Sequence, residues 1–223
     1  MRLKRQVVTG VLAVCGLLVA GFAFAQAAAP PEQPAPDVAE PPPAAAPSPA
    51  VVNVVLHTTL GDIQVVLEKD RAPLTTKNFL RYVDNRRFDG IAFYRAVKIG
   101  DDGRYGLVQG GLRGDPKRVF KPIPHEAPGA TGLSHLSGAI SMARAEPGTA
   151  RSDFFIVLGD LTNLDGKPNS DDPGYAVFGR VTEGMDVVLK ILDQPRSAEG
   201  GEGAMKGQML DKPVKITSVR RME

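Results

Sequence analysis

The alternation of apolar and polar positions beyond residue 50 predicts a domain built mainly from short β-strands. Ile63, Val65 and Leu67 stand at every second position, a pattern typical of a strand with one buried face. Residues 51–58 form a similar run and would pair with it through a turn at residues 60–62. Further short apolar runs predict strands over residues 91–97, 107–110, 139–143, 154–158, 176–181 and 214–220.

Two other stretches repeat apolar residues at helical spacing. Phe79, Tyr82 and Val83 follow Pro73, a residue that is favoured in the first turn of a helix. The apolar face of the second helix would consist of Met185, Val188, Leu189 and Leu192. Together with loops rich in Gly and Pro, these elements predict a mainly β fold, a closed eight-stranded antiparallel barrel capped by two α-helices.

The first 25 residues have the layout of a secretory signal peptide. Three basic residues within the first six positions precede a uniformly apolar or small run over residues 7–24. Ala23 and Ala25 then form a small-x-small cleavage site. We therefore expect an exported protein, periplasmic in a Gram-negative host and otherwise secreted or membrane-anchored.

Two alternatives to cleavage at this site stay open. The apolar run is long enough to act as an uncleaved membrane anchor, and only in that case would the protein associate with a membrane. Cys15 also leaves a lipoprotein possible, although Val14 precedes it where a small residue is expected.

Residues 26–50 are almost entirely Ala and Pro with a few acidic residues. Such a segment has too few apolar side chains to offset the entropy of ordering, which predicts a disordered, extended tether. It would be either a spacer that holds the domain away from a membrane or wall, or a tolerated leader. The remaining residues, 51–223, have the length and apolar content of one folded domain.

Removal of the signal changes the charge of the protein. Without its three basic residues the chain has 24 Lys and Arg against 25 Asp and Glu, a net charge of −1. This near-neutral balance gives no electrostatic case for nucleic-acid binding, and we expect a monomer. Cys15 is the only cysteine, so the exported domain has neither a disulfide nor a thiol nucleophile.

Other candidate chemistries find no support in the spacing of residues. His57, His125 and His135 are too scattered to indicate a metal site, so we expect structural histidines and neither a metal nor a cofactor. Ser152 lacks the G-x-S-x-G context of a hydrolase nucleophile. The glycine-rich tract at residues 200–207 lacks the ending of a phosphate-binding loop, and we expect a mobile surface loop.

Four motifs carry the functional signal. They are F-x-R ending at Arg95, Q-G-G beginning at Gln109, S-M-A ending at Ala143 and F-F-I beginning at Phe154. Their order resembles that of the cyclophilins, a family of proline cis/trans isomerases, and the resemblance extends over residues 51–223. It implies the barrel fold and, without a cofactor, isomerisation of X-Pro bonds in unfolded or flexible polypeptides.

An arginine has a physical reason to serve this reaction. Rotation about a peptide bond costs about 18–20 kcal/mol because nitrogen lone-pair donation gives the C–N bond double-bond character. A donor aimed at the prolyl nitrogen favours the twisted state, in which that lone pair is localised. A thousandfold acceleration requires about 4 kcal/mol, within reach of one charge-assisted hydrogen bond in a dry pocket.

The resemblance also implies roles for individual residues. Arg95 would be the catalytic residue, Gln109 would hold substrate backbone and the guanidinium, and Tyr175 would replace the family's pocket histidine. Ala143 and Arg144 would offer backbone groups to the residues before proline. The full set of expected substrate-binding residues is Phe93, Tyr94, Leu107, Gln109, Ala143, Arg144, Asp153, Phe155, Leu164 and Tyr175.

Several positions depart from the pattern of animal cyclophilins. Gly106 replaces a phenylalanine, and we expect Tyr105 or the enlarged loop at residues 98–104 to cover the opened wall. Asn163 replaces a tryptophan that contacts cyclosporin. Asp153 replaces a glutamine, and this acid and the sequence of residues 123–126 resemble a bacterial, exported branch.

Asp153 also keeps a different class of function open. If it pairs with Arg95, the guanidinium is partly satisfied before substrate arrives. The protein would then be a weakly catalytic binding module, or a holdase chaperone for proline-containing segments in the cell envelope. A third interpretation, a purely structural protein tethered to a wall or membrane, is supported only by the Pro/Ala segment.

Overall fold

The computed structural model describes residues 50–100, 103, 105–167 and 171–222. The expected signal peptide and all but the last residue of the expected tether lie outside these ranges. Within them no helix is long and apolar enough to cross a membrane. The strands are β1 Val51–Thr58, β2 Gly61–Glu68, β3 Ala92–Ile99, β4 Tyr105–Gly111, β5 Ala139–Met142, β6 Phe154–Leu158, β7 Val177–Glu183 and β8 Met209–Arg221.

These eight strands form the closed antiparallel barrel that the sequence predicts. Their order around the barrel is β1-β2-β7-β5-β6-β4-β3-β8, and β8 closes it by pairing with both β1 and β3. Closure removes the exposed edges that an open sheet would present to other chains.

The two expected helices are present as α1, Pro73–Asp84, and α3, Met185–Leu192. Between them the structure adds a one-turn helix, α2, Pro128–Thr131, which is too short to show helical periodicity in the sequence. Glu126 precedes α2 and caps α1, because its carboxylate accepts hydrogen bonds from the backbone N–H groups of Leu74 at 3.0 Å and Thr75 at 2.7 Å.

Aromatic side chains fill the barrel beneath α1. The ring of Phe79 lies 5.0 Å from that of Phe88 and 5.4 Å from that of Phe154, measured between centroids. Tyr82 is also fully buried, and its hydroxyl accepts a hydrogen bond from the backbone N–H of Phe120. This core holds the strands of one barrel wall rigidly, and that wall carries the candidate site on its outer face.

Candidate active site

Three neighbouring strands place a row of side chains on the outer face of the barrel. The register sets Arg95 of β3 opposite Gln109 of β4, and Gln109 opposite Phe155 of β6. Residues directly opposite each other in an antiparallel sheet point to the same face. The expected catalytic arginine, the amide and the pocket phenylalanine are therefore adjacent.

A β-bulge at Tyr94 turns one predicted site residue away from this row. The register of β3 against β4 shifts between Phe93 and Arg95, so β3 carries one extra residue there. Strict alternation would have put Phe93 on the same face as Arg95. Instead Phe93 is fully buried, with its ring edge-on to that of Phe154, and the expectation that it contacts substrate is wrong.

Two glutamines hold the guanidinium of Arg95. Its Nε and Nη2 donate to Oε1 of Gln208 at 2.9 and 2.6 Å, and its Nη1 donates to Oε1 of Gln109 at 2.7 Å. Gln109 in turn donates from Nε2 to the hydroxyl of Tyr94 at 2.8 Å. The guanidinium has five N–H groups, so two donors remain after these three bonds.

The charge of Arg95 has no acidic partner in the part of the chain that the structure describes. Among the residues that the structure describes, no carboxylate lies within ion-pair distance of its guanidinium. Partial burial lowers the pKa of Arg95 from its ordinary value, although an arginine stays protonated at neutral pH. The site therefore presents a fixed, uncompensated positive charge.

Asp153 is bonded to other groups instead. Its Oδ1 accepts hydrogen bonds from the hydroxyl of Tyr94 at 2.7 Å and the backbone N–H of Arg113 at 3.0 Å, and its Oδ2 accepts one from Ser152 at 2.8 Å. Burial, reinforced by the Asp153 charge, raises the pKa of Tyr94 far above its usual range. The hydroxyl stays protonated and links Asp153 through Gln109 to Arg95.

Next to Arg95 the outer face opens into a cavity of about 680 Å³. Its polar lining includes Arg95, Gln109, Arg144 and Asp153, and its apolar lining includes Leu107, Ala143, Phe155, Leu164 and Tyr175. Tyr94 lies behind the cavity rather than on its surface, with 7% of the residue exposed. Apart from Phe93 and Tyr94, the structure brings all the expected site residues to one cavity.

The cavity thus combines a charged donor with an apolar, aromatic-lined wall, and the matching family explains the combination. The family model described as "Cyclophilin type peptidyl-prolyl cis-trans isomerase/CLD" matches residues 53–221. The chain belongs to this family.

Curated relatives and solved structures agree with this assignment. The cyclophilin-type chain is 36% identical over 168 residues to a peptidyl-prolyl cis-trans isomerase of Acinetobacter baylyi, covering 75% of this chain and 84% of the relative. It is 34% identical over 169 residues to peptidyl-prolyl cis-trans isomerase B of Escherichia coli K12, covering 74% and 97%. A cyclophilin-type isomerase structure from Cryptosporidium parvum shares the fold, with a TM-score of 0.60 at 22% identity, covering 78% of this chain and 99% of that one.

A buried histidine supports the apolar wall of this cyclophilin-type site. The ring of His135 stacks on that of Phe155 at 5.7 Å between centroids, with 8° between the planes. Its Nδ1 lies 2.5 Å from Oδ1 of Asp165 and its Nε2 lies 3.0 Å from Oγ of Ser141. Since Asp165 follows Leu164 in the chain, one network fixes two walls of the cavity. His135 therefore has the structural role that the sequence predicted.

Sequence analysis missed Gln208, which holds Arg95, and Met205, which lines the cavity. Gln208 is 113 positions from Arg95, and Met205 lies on a 3₁₀ turn, Gly203–Met205, inside the tract expected to be only a surface loop. β8 pairs with β3 so that Met209 lies opposite Arg95, which brings Gln208 to the guanidinium and Met205 to the cavity. Only a long-range pairing provides this signal, and no local pattern reports it.

Among the described residues, neither Tyr105 nor the 98–104 loop covers a wall opened by Gly106, and residues 101, 102 and 104 of that loop lie outside the described ranges. A Cβ at this position would lie 1.9 Å from the carbonyl oxygen of Val97, so Gly106 allows two strands to approach closely. Tyr105 packs over Gly159, where a Cβ would lie 1.9 Å from its ring. No described residue of the 98–105 segment lines the cavity, and Met205 forms part of its wall.

Proposed function

We propose that this isomerase accelerates the folding of exported proteins by acting on X-Pro bonds in their unfolded or flexible segments. One observation carries the catalytic part of the proposal. A charged guanidinium is held in a fixed orientation without a carboxylate partner, directly beside an apolar cavity.

The apolar residues of the cavity would bind the proline ring, and Arg95 would act on the rotating bond. A proline ring is apolar and fits against Phe155, Leu107 and Leu164, where its burial excludes water from the reacting bond. The donors that remain on Arg95 then face the prolyl nitrogen. As the peptide bond twists, the localised lone pair accepts a hydrogen bond that the planar ground state cannot accept, so the interaction lowers the barrier.

Proline-containing peptides are the proposed ligand class. The solved Cryptosporidium parvum cyclophilin-type isomerase was also crystallised in the presence of the dipeptide Ala-Pro, and it aligns with this chain at a TM-score of 0.61. That likeness supports the fold and, through it, the proposal for this cavity. A backbone-directed site of this kind would accept many sequences around the proline.

The exported setting rests on the N-terminal sequence. Its basic start, apolar run and small-x-small site support secretion. The holdase alternative required Asp153 to neutralise Arg95. Because Asp153 is bonded to Tyr94, Ser152 and the Arg113 backbone, we favour turnover over holding.

An exchange experiment tests the proposal. The purified protein is added to an Ala-Pro peptide, and magnetisation transfer between the cis and trans resonances reports the isomerisation rate without a coupled protease. We expect catalytic amounts of protein to accelerate exchange well above the uncatalysed rate, which corresponds to tens to hundreds of seconds. Binding of the peptide without accelerated exchange would overturn the proposal and establish the holdase alternative.

A further inference from the structure

The cavity continues beyond the apolar residues that would receive proline. Its lining also includes Ala145, Thr149, Arg151, Ser152 and Gly114. The first four of these follow Ala143 and Arg144 in the chain, the residues that are expected to contact the part of the substrate that precedes proline. This part of the cavity can therefore receive a side chain of the substrate on the N-terminal side of its proline.

The lining of the cavity carries an excess of positive charge. Among the described residues, three guanidiniums line it, those of Arg95, Arg144 and Arg151, and Asp153 is the only carboxylate that does so. The oxygens of Asp153 already accept three hydrogen bonds. Glu146 lies in the same loop but does not line the cavity. A cleft with this balance attracts negatively charged groups.

The guanidiniums of two of these arginines are already held by hydrogen bonds within the protein. Arg95 is held by Gln109 and Gln208. Arg144 donates twice to the carbonyl of Gly174, lies 3.8 Å from Asp172 and leaves only 8% of its side chain exposed. Its charge is thus partly compensated and its donors are partly occupied.

Arg151 differs from both. Its backbone is anchored, because its carbonyl accepts a hydrogen bond from Nδ2 of Asn78 at 2.6 Å, and the neighbouring residues Ala150 and Ser152 are buried. Its side chain is exposed and, among the described residues, takes part in no ion pair or side-chain hydrogen bond. A guanidinium with five free donors on a fixed backbone is well suited to bind a carboxylate in a bidentate manner.

From this arrangement we infer that the part of the cavity around Arg151 is an acid-selective subsite, which favours an Asp or Glu side chain over a neutral one before the proline of the substrate. Arg151 is its specificity-determining residue. The inference rests on the proposed function, because it assumes that a proline-containing polypeptide occupies the cavity. An extended chain advances about 3.3–3.6 Å per residue, so the three residues before the proline reach about 10 Å from it and are the positions to test.

Acetylated peptides with a single X-Pro bond test the subsite. They carry Glu, Gln or Lys at one, two or three positions before the proline, and kcat/KM is measured by cis/trans exchange. At the best position we expect Glu to exceed Gln by about three- to fivefold, the range of an exposed charge pair. At an ionic strength of about 1 M, where the screening length is about 3 Å, this preference should largely disappear.

Substitutions then assign the preference to one residue. Arg151→Gln should bring the Glu/Gln ratio close to one, and Arg151→Glu should favour the Lys peptide instead. Arg180→Gln is the matched control, since it removes an exposed arginine of β7 outside this cavity and should keep the wild-type ratio. An equal loss of the ratio in Arg180→Gln, or its survival in Arg151→Glu, would overturn the inference.

Peptide affinity, measured by fluorescence anisotropy on labelled peptides, separates failure of the subsite from failure of the proposed function. Accelerated exchange with equal rates for Glu and Gln peptides would overturn the subsite and leave the isomerase proposal standing. A Glu preference in affinity without accelerated exchange would support the subsite and contradict turnover. If the protein neither accelerates exchange nor binds the peptides, both proposals are overturned.

Discussion

Arg95 takes its orientation from two amide side chains rather than from a carboxylate. A carboxylate would fix the guanidinium but would also compensate its charge before substrate arrives. Amide oxygens accept hydrogen bonds without carrying a formal charge, so Gln109 and Gln208 orient the group and leave it electrostatically available. Orientation and charge are thus supplied independently at this position.

Substitution of Arg95 tests the core of the mechanism. Arg95→Ala should lower kcat/KM for X-Pro exchange by about 100-fold or more, because it removes a donor that acts only on the twisted state. Arg95→Lys should also lose most activity, since a single ammonium does not reproduce the planar set of donors. Circular dichroism should show an unchanged fold, and near wild-type exchange in folded Arg95→Ala would contradict the mechanism.

Gln208 should act as a positioning residue. Gln208→Ala removes the acceptor for two guanidinium N–H groups but leaves Gln109 in place, so we expect kcat to fall about three- to tenfold with little change in KM. Gln64→Ala, which removes an exposed amide on β2, is the control and should leave both constants unchanged. A change in KM alone would show that Gln208 affects substrate binding rather than the orientation of Arg95 in the reaction.

His135 predicts how stability depends on pH. Burial lowers its pKa, and the hydrogen bond and charge of Asp165 offset this only in part. The unfolded chain therefore binds a proton more readily than the folded one, so stability is fully present above about pH 6.5 and falls as the pH drops through and below that value. Urea unfolding between about pH 7.5 and 5 should show this fall.

Variants identify the histidine responsible. His135→Gln should reduce the fall in unfolding free energy over this range, whatever its effect on stability at neutral pH. His125, whose pKa is also lowered, mainly by burial, accounts for the slope that remains. An unchanged slope in His135→Gln would show that this ring does not titrate on unfolding.

For individual residues, the sequence predicts a place in the site correctly where a motif and strand alternation agree, as for Arg95, Gln109 and Phe155. It fails at Phe93, because a β-bulge shifts the alternation by one residue and nothing in the motif reports the bulge. It also fails for Gln208, whose relation to Arg95 exists only once β8 has paired with β3.

Among the elements, the barrel strands follow from their apolar runs, but the first part of β8 does not. The sequence predicts this strand from residue 214, whereas it begins at Met209. Pro213 explains the difference, since a proline inside a run argues against a strand and the pairing with β3 is irregular at this point. The part of β8 that the sequence does not predict, residues 209–213, follows Gln208 directly.

The 3₁₀ turn Gly203–Met205 should contribute to substrate binding through one side chain. Met205→Ala removes part of the cavity wall, so we expect KM for X-Pro peptides to rise about two- to fivefold with kcat nearly unchanged. Met222→Ala is the control because Met222 is similarly exposed and does not line the cavity. Tyr105→Ala should also leave KM unchanged, and a rise in KM there would restore the idea that Tyr105 covers the pocket.

For the molecule as a whole, the proposed export makes a prediction about maturation. Signal cleavage after Ala25 should give a mature N-terminus at Gln26, which mass spectrometry of protein extracted from the cell envelope would detect. An Ala25→Arg variant should block processing, since the cleavage site requires small residues. Intact Met1 in a membrane fraction of the wild type would instead establish the anchor.

The pairing of β8 with both β1 and β3 also bears on synthesis of the protein. A nascent chain emerges from the ribosome N-terminus first, so β1 and β3 are available long before β8. Until then the barrel has two unpaired edges, and Arg95 lacks Gln208. We therefore expect the complete site to form only after β8 has been synthesised. Any proline bond that the chain must isomerise earlier in its own folding depends on the uncatalysed rate or on isomerase molecules completed before it.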